Sequence, residues 1–119
     1  SKINSLHEKY SLKSKKELKI RSDAIIIRVK YLAEKHGFTF NKISTRLMKS
    51  RWGSCSYHNN ISINICLSDL PQRLIDCVIL HELMHTRIKN HSVYFWSELN
   101  NLVDDLKGLR KELKEDYFL

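Results

Sequence analysis

The sequence is poor in the features that mark secreted, membrane-spanning and low-complexity proteins. Its three cysteines are an odd number without a CxxC spacing, which argues against a disulfide framework and favours a reducing cytoplasm. No apolar run approaches the roughly 18 residues of a membrane span, and the first residues lack the apolar core of a signal peptide. There is only one proline, and no repeat or low-complexity linker. We therefore expect residues 1–119 to form a single cytoplasmic domain without a membrane partner.

The composition is that of an ordinary globular domain with a surplus of positive charge. Hydrophobic residues make up 42% of the chain and charged residues 29%, with a net charge of +8. Much of this charge precedes residue 22, and a second basic group follows at Lys42, Arg46, Lys49 and Arg51. A solvated basic surface is the simplest interpretation, because no nucleic-acid-binding motif accompanies these residues. A nucleic acid or another polyanion stays open as an alternative partner.

The first third of the chain predicts one long helix behind a short lead-in. Residues 1–13 have weak hydrophobic periodicity, so we expect a flexible or extended segment there. From Ser14 to His36 apolar residues recur at helical spacing along one stripe, formed by Leu18, Ile25, Val29 and Leu32. Gly37 is suited to end this helix, because glycine adopts the left-handed conformation without strain.

The hydrophobic period then changes to two, which is typical of strands. Residues 38–47 predict a strand with a bend near Asn41. Residues 52–57 predict a second short strand, and the alternation over residues 61–66 predicts a third, after a turn at 58–60. Together these segments predict a small antiparallel sheet with one buried face.

Two further helices are predicted in the second half of the chain. Pro71 suits the first turn of a helix that should run to about Ile88, with Ser68 or Asp69 as its cap. A last helix then carries a heptad-like apolar stripe made of Trp96, Leu99, Val103 and Leu106. Gly108 predicts a kink or an end in this helix. The predicted fold class is therefore α+β, with a small antiparallel sheet between an N-terminal helix and two later helices.

The buried helix carries His81-Glu82-Leu83-Met84-His85, which is the HExxH pattern of zinc hydrolases. Two histidines four residues apart lie on one face of a helix, close enough to share a small cation. His91 lies past the predicted helix end, where a turn can bring it back to the ion; the alternative is a surface histidine. Three protein ligands and one open position are typical of a catalytic zinc site, so we predict one Zn²⁺ ion here.

In such a site Glu82 is the predicted catalytic residue. Zinc lowers the pKa of a bound water to about 7, and Glu82 accepts its proton as general base. Spacing alone does not identify an oxyanion donor, and the candidates are Arg51, Tyr57, His58 and Tyr94. Cys77, one turn before the first histidine, is predicted to be a small core residue, because a fourth protein ligand would close the site.

Several sequence blocks resemble the YgjP-like metallopeptidase domain family, which is related to the SprT and WLM (Wss1p-like) zinc metalloproteases. These blocks are Ser50-Arg51-Trp52-Gly53-Ser54-Cys55, residues 78–85, and Asn90-His91-Ser92 followed by Phe95-Trp96. The resemblance implies a zincin-like, gluzincin-type fold, with zinc held by His81, His85 and His91 and with Glu82 catalytic. It also places the segment from Trp52 through Ser54 to Ser56 near the site. The family's usual N-terminal β-rich region has no counterpart in this sequence.

Three functions are consistent with these patterns. The leading hypothesis is a zinc-dependent peptidase acting on a peptide or protein substrate. A second is a metal-dependent hydrolase of another bond, such as a nucleotide phosphoanhydride, because metal-activated water is not confined to amides. A third is a module recruited to nucleic acid through its basic surface. The fold and the site do not by themselves fix the substrate.

Overall fold

The computed structural model describes the backbone of residues 2–117 and the side chains of residues 2–115. It has an α+β architecture in which helices cover a small three-stranded sheet. The described elements, in chain order, are α1 (Lys2–Ser11), α2 (Lys15–His36), β1 (Lys42–Arg46), β2 (Gly53–Cys55), β3 (Asn60–Asn64), a 3₁₀ helix (Ile65–Asp69), α3 (Gln72–Met84), α4 (Val93–Asn100), α5 (Leu106–Glu112) and a π-helical turn (Leu113–Tyr117).

The first helix, α1, replaces the flexible lead-in that the sequence predicted for residues 1–13. Ile3 and Tyr10 are fully buried, and they lie on one face of α1 because seven residues make two helical turns. The hydroxyl of Tyr10 donates a hydrogen bond to Asp69 at 2.5 Å, and Lys9 forms an ion pair with the same carboxylate at 2.7 Å. Two anchors are too few to produce a visible periodicity, so the expectation of an unstructured segment was wrong.

The long helix α2 confirms the interpretation of the pattern between Ser14 and Gly37. The Ser14 side chain accepts a hydrogen bond from the backbone N–H of Glu17, which caps the first turn. Gly37 ends the helix with φ of 72° and donates its N–H to carbonyls of the last turn. Arg28 reaches from α2 to Asp76 on α3 with two hydrogen bonds of 2.8 and 2.7 Å. This bidentate pair ties the two longest helices together.

The sheet has the strand order β1-β3-β2 and is mixed, whereas the sequence predicted a wholly antiparallel sheet. β2 and β3 form an antiparallel hairpin, while β1 pairs in parallel with the other edge of β3. The hairpin turns at Asn59, whose φ of 64° fulfils the predicted turn. The buried amide of Asn64 donates to the carbonyls of Met48 and Arg51 at 3.0 and 2.9 Å, which holds the loop that carries the chain from β1 to β2.

Both ends of α3 differ from the prediction. Pro71 occupies the cap position and makes no side-chain hydrogen bond, so neither Ser68 nor Asp69 caps this helix. The helix ends at Met84 rather than near Ile88, and the chain continues as a turn. Backbone bonds within this turn, including Ile88 N–H to Met84 carbonyl at 2.9 Å, close it tightly. The early end lets the following segment fold back over the last turn of α3.

The predicted last helix is divided into α4 and α5. The break precedes Gly108: Asp105 takes a left-handed conformation with φ of 55° and its side chain caps α5 at the N–H of Gly108. Phe95 and Leu99 of α4 are fully buried, and Cys77 of α3 is a core residue, as predicted. Cys55, Cys66 and Cys77 are free thiols. Among the residues described, no helix combines the length and hydrophobicity that a membrane crossing requires.

Candidate metal centre

Three histidines converge at the end of α3. His81 and His85 lie one turn apart on the same face of the helix, and the tight turn after Met84 brings His91 opposite them. The Nε2 atom of His91 lies 3.1 Å from Nε2 of His81 and 2.9 Å from Nε2 of His85. These three nitrogen atoms lie within 4.8 Å of one another, which is the spacing of ligands around a single ion. The arrangement predicted from the sequence is therefore present in space.

The protonation of these rings suits metal binding. Nδ1 of His85 lies 3.0 Å from the carbonyl of Ile88, and because a carbonyl only accepts, Nδ1 carries the proton and Nε2 presents a lone pair. Burial, followed by the charges of neighbouring His91 and Lys89, lowers the pKa of His85. Burial, together with the two other histidines and Arg110, lowers the pKa of His81 to about 3. Both rings are therefore neutral at pH 7 and available as ligands.

The donor set fits zinc. A tetrahedral zinc ion with zinc–nitrogen bonds of about 2.1 Å needs its nitrogen ligands about 3.4 Å apart. Two of the three separations, 3.1 and 2.9 Å, are close to this value, and all three nitrogen atoms lie within 4.8 Å of one another, so small movements of the side chains would accommodate the ion. Among the residues described, no thiolate or carboxylate joins the three imidazoles as a ligand, which leaves a fourth position open, as catalytic zinc sites require.

Aromatic rings from α4 hold two of the histidines. The ring of His85 stacks on Phe95 with centroids 4.4 Å apart and planes 24° apart. The ring of His91 stacks on Trp96 with centroids 5.3 Å apart and planes 16° apart. The guanidinium of Arg110, from α5, lies 3.7 Å from the centroid of the Trp96 ring. Because His91 itself is exposed, this stack limits the orientations that its ring can adopt.

Glu82 is a buried carboxyl group beside the histidines. It is 7% exposed, and burial raises its pKa to about 7, against the opposing charge of Arg51. The backbone of Gly53 in β2 packs directly on this side chain. A Cβ atom added to Gly53 would lie 3.0 Å from Cγ and 3.1 Å from Oε2 of Glu82. A side chain at this position would force Glu82 to move by a few tenths of an ångström, so the glycine leaves room for this carboxyl group.

A cavity of about 270 Å³ opens over the three histidines and Glu82. Its remaining lining comes from the loop before β2, from β2 itself and from the segment after α3: Arg51, Gly53, Ser54, Cys55 and Lys89. Arg51 and Ser54, both predicted from the sequence, thus line the same cavity as the three histidines. Trp52 is a core residue, 7% exposed, and is not among the side chains that line the cavity.

Three other candidates from the sequence are not among the side chains that line the cavity. Tyr57 is 82% exposed on the β2–β3 turn, where its ring contacts His58 edge to face, and Tyr94 is 62% exposed on the first turn of α4. Lys89 was missed by the sequence analysis. The one feature of the sequence that could have indicated Lys89 is its position between the second and third histidines, on a segment that has to fold back over the site.

Comparison with known proteins agrees with this geometry. The family model for the YgjP-like metallopeptidase domain matches residues 3–116. The structure of the metallopeptidase zymogen abylysin from Pyrococcus abyssi is similar, with a TM-score of 0.67 and 17% identity, over 78% of this chain and 94% of abylysin. The zymogen jannalysin from Methanocaldococcus jannaschii gives a TM-score of 0.53 and 27% identity, over 82% of this chain and 91% of jannalysin. No curated protein sequence matches the chain.

These likenesses agree on one zincin-like architecture. At 17% identity the likeness to abylysin shows the fold alone, and it does so over most of the present chain. The family model carries the assignment, because it extends over nearly all of the sequence, including the helix and the turn that hold the three histidines. The chain belongs to the YgjP-like metallopeptidase domain family.

Proposed function

We propose that this protein is a zinc-dependent peptidase, in which His81, His85 and His91 hold one Zn²⁺ ion and Glu82 acts as general base. The single observation that carries the proposal is the convergence of three imidazole nitrogens beside a buried carboxyl group at the floor of an open cavity. Membership of a metallopeptidase family supports the same reaction class.

The chemistry divides between the ion and the protein. A zinc ion in this site supplies Lewis acidity toward a water molecule and toward the carbonyl oxygen of the substrate. Glu82 accepts a proton from the attacking water and returns it to the departing amine nitrogen. With a pKa of about 7, raised by burial, its carboxyl group can both take and release a proton near neutral pH. Its low exposure also limits proton exchange with bulk water.

The position of β2 supports an extended peptide as the substrate. β2 lies at the edge of the sheet, and all of its residues, Gly53–Cys55, line the cavity. An edge strand offers backbone N–H and C=O groups with which an extended peptide pairs as an added strand. The backbones of Trp52 and Ser56 bond to β3, so by alternation the backbone N–H and C=O groups of Gly53 and Cys55 face the free edge, where such a peptide would pair. These features favour a peptide over a compact small molecule.

The proposal is tested by metal content and peptide cleavage in matched variants. Glu82→Gln should retain one zinc ion per chain and lose peptide cleavage by about 10²- to 10⁴-fold, because the base is gone while the ligands remain. His91→Ala should lose both zinc and activity. His7→Gln on α1, outside the cavity, is the matched control and should retain both. Zinc retained in His91→Ala, or cleavage retained in Glu82→Gln, would contradict the assignment.

Hydrolysis of a phosphoanhydride bond is the competing candidate. The basic residues Arg51 and Lys89 in the cavity favour it. Incubating the zinc-loaded protein with nucleoside triphosphates separates the two, since phosphate release without peptide cleavage would support a phosphoanhydride hydrolase. Recruitment to nucleic acid through the net charge of +8 is compatible with either reaction. Such binding should weaken steeply as salt is raised.

A reducing cytoplasm is the compartment we propose for this protein. The three cysteines are free thiols, and two of them, Cys66 and Cys77, are buried where burial raises the pKa of each thiol to about 11. Protonated, buried thiols are poorly reactive and form no structural bridge here. Their state supports a compartment in which thiols stay reduced.

A further inference from the structure

Two cations line the candidate metal site, and neither has a carboxylate partner among the residues that the structure describes. Arg51 lies on the loop before β2, and Lys89 lies between α3 and α4, so the two approach the cavity from different elements. Within residues 2–115 the side chain of Arg51 has neither a hydrogen bond nor an ion pair, and Lys89 bonds only to neutral oxygen atoms. Among the residues described, Glu82 is the single carboxyl group in the lining of the cavity, and it is buried against Gly53. Within this part of the chain neither cation forms an ion pair with a carboxylate.

Lys89 is held in place rather than free to swing into solvent. Its Nζ donates to the carbonyl of Ser56 at 2.9 Å and to the side-chain oxygen of Asn59, and it lies 5.9 Å from the ring centroid of Tyr57. An ammonium group has three donors, so these two bonds leave one for a ligand. The β2–β3 turn thus presents a fixed cation with one unused donor at the cavity. A fixed cation loses little side-chain entropy when it binds an anion.

Arg51 presents a different geometry from a different direction. Its guanidinium has five donors in a planar fork, which matches a carboxylate with two parallel hydrogen bonds. Arg51 enters the cavity from the segment before β2, whereas Lys89 enters it from the segment after α3. An extended peptide laid along β2 over the histidines would occupy the cavity that both cations line. Acidic side chains near the bond to be cleaved could therefore accept hydrogen bonds from these donors.

We infer that the substrate is a peptide with acidic side chains near the scissile bond, recognised by Arg51 and Lys89 as specificity-determining residues. The inference rests on the proposed peptidase function and adds the class of substrate. It follows from two cations that form no ion pair within residues 2–115, one of them held by the β2–β3 turn, in a cavity whose one described carboxyl group is buried. A basic side chain at the same positions would meet like charge, so the site discriminates by repulsion as well as by attraction.

The experiment compares one cleaved peptide in matched versions. A peptide cut by the zinc-loaded wild type is first identified by mass spectrometry in a mixed peptide library. Versions are then made with Asp, Asn or Lys at one position at a time, either directly before or directly after the cleaved bond. We expect kcat/KM for the best Asp version to exceed the Asn version about tenfold and the Lys version by more, falling with added salt.

Charge-reversed variants assign the preference to residues. Lys89→Glu and Arg51→Glu should each invert the order of the Asp and Lys versions at one position, with zinc content unchanged. Lys89→Gln, which removes the charge but keeps a long polar side chain, should abolish discrimination at that position. Lys42→Glu on β1 is the matched control: it changes an exposed lysine on the far edge of the sheet and should keep the wild-type preference.

The outcomes separate the inference from the proposed function. Equal kcat/KM for all versions, or a preference that survives both charge reversals, would overturn the acidic specificity while leaving the peptidase intact. No cleavage of any library peptide by a fully zinc-loaded wild type would overturn the proposed function, and the inference with it. An inverted preference in Lys89→Glu, alongside an unchanged preference in Lys42→Glu, supports the inference.

Discussion

Tyr10 should be one of the most sensitive positions outside the cavity, because it fastens α1 to the rest of the chain. Its ring is fully buried and its hydroxyl donates to Asp69 at 2.5 Å, while Arg21 donates to the same hydroxyl at 3.1 Å. Tyr10→Phe keeps the ring and removes only the oxygen. A hydrogen bond to a charged group is worth about 1.5–3 kcal/mol, and Asp69 keeps its ion pair with Lys9, so we expect a loss of about 2 kcal/mol.

Urea unfolding of the zinc-loaded protein measures this loss, which should also lower Tm by roughly 8 °C in a chain of this size. Tyr31→Phe is the matched control, because Tyr31 is 49% exposed on α2, and its free energy of unfolding should change by less than about 0.5 kcal/mol. A double-mutant cycle with Asp69→Asn should give a coupling above about 1 kcal/mol. A Tyr10→Phe variant as stable as wild type would refute the anchoring role of the Tyr10 hydroxyl.

The same pair predicts a pH dependence with a definite sign. Burial opposes ionisation of Asp69, but hydrogen bonds from Lys9 and Tyr10 and the charges of Lys9 and Arg21 outweigh it, so the pKa of Asp69 is lowered. The contribution of Asp69 is therefore present above its unfolded pKa of about 4 and lost as pH falls through the folded value. The difference in unfolding free energy between wild type and Asp69→Asn should shrink below about pH 4. A constant difference across the acidic range would contradict this reasoning.

Three further predictions concern the site. Gly53→Ala places a methyl group 3.0 Å from Cγ of Glu82, so kcat should fall at least about tenfold with zinc retained; unchanged kcat would show that the base tolerates displacement. Trp96→Leu removes the ring stacked on His91 and should weaken zinc binding about tenfold in a competition assay with a chelating dye. Unchanged affinity would show that Trp96 does not orient His91 for the ion. Chelation by EDTA should lower stability by about 4 kcal/mol where zinc exceeds its Kd a thousandfold, and an unshifted unfolding curve would exclude a folded-state metal site.

The parts of the fold that the sequence predicted are those with local signals. Ser14 and Gly37 bracket α2, because a side-chain cap and a left-handed glycine act within one turn of the helix ends. The alternation that places Ile61 and Ile63 inside survives in β3, since one face of that strand is fully buried. HExxH on a buried helix was also predictable, because its spacing alone puts both histidines on one face.

The parts that were missed depend on contacts distant in sequence. α1 is held by Tyr10 reaching Asp69, a partner that local periodicity cannot reveal. The parallel pairing of β1 follows from Asn64 fixing the loop that crosses to β2, since strand direction is not encoded in the strand's own pattern. α3 ends at Met84, and the chain turns back from His85. No glycine or proline marks this helix end in the sequence.

In the candidate site, the histidines and Glu82 were predictable, whereas the cavity wall was only partly so. Arg51 and Ser54 were expected near the ligands and line the cavity with them. Lys89 contributes through a turn whose path depends on where α3 stops, and the predicted end of that helix was too late. Tyr57 was a candidate oxyanion donor because of its hydroxyl group, yet its side chain is exposed on the turn between β2 and β3. The sequence does not indicate which way this turn faces.

The three histidines all lie on one short segment, residues 81–91, whereas the strand that faces them comes from residues 53–55. Closing a short loop costs little entropy and takes place quickly, while bringing distant segments together is slower. An ion can therefore be captured by a chain that has not yet docked β2 beside α3. We expect metal capture to precede cleft formation during folding, so that a newly made chain carries its ion before it can cut. Substitutions that unfold the sheet should then leave a protein that still binds zinc but has lost the strand to which a peptide would pair.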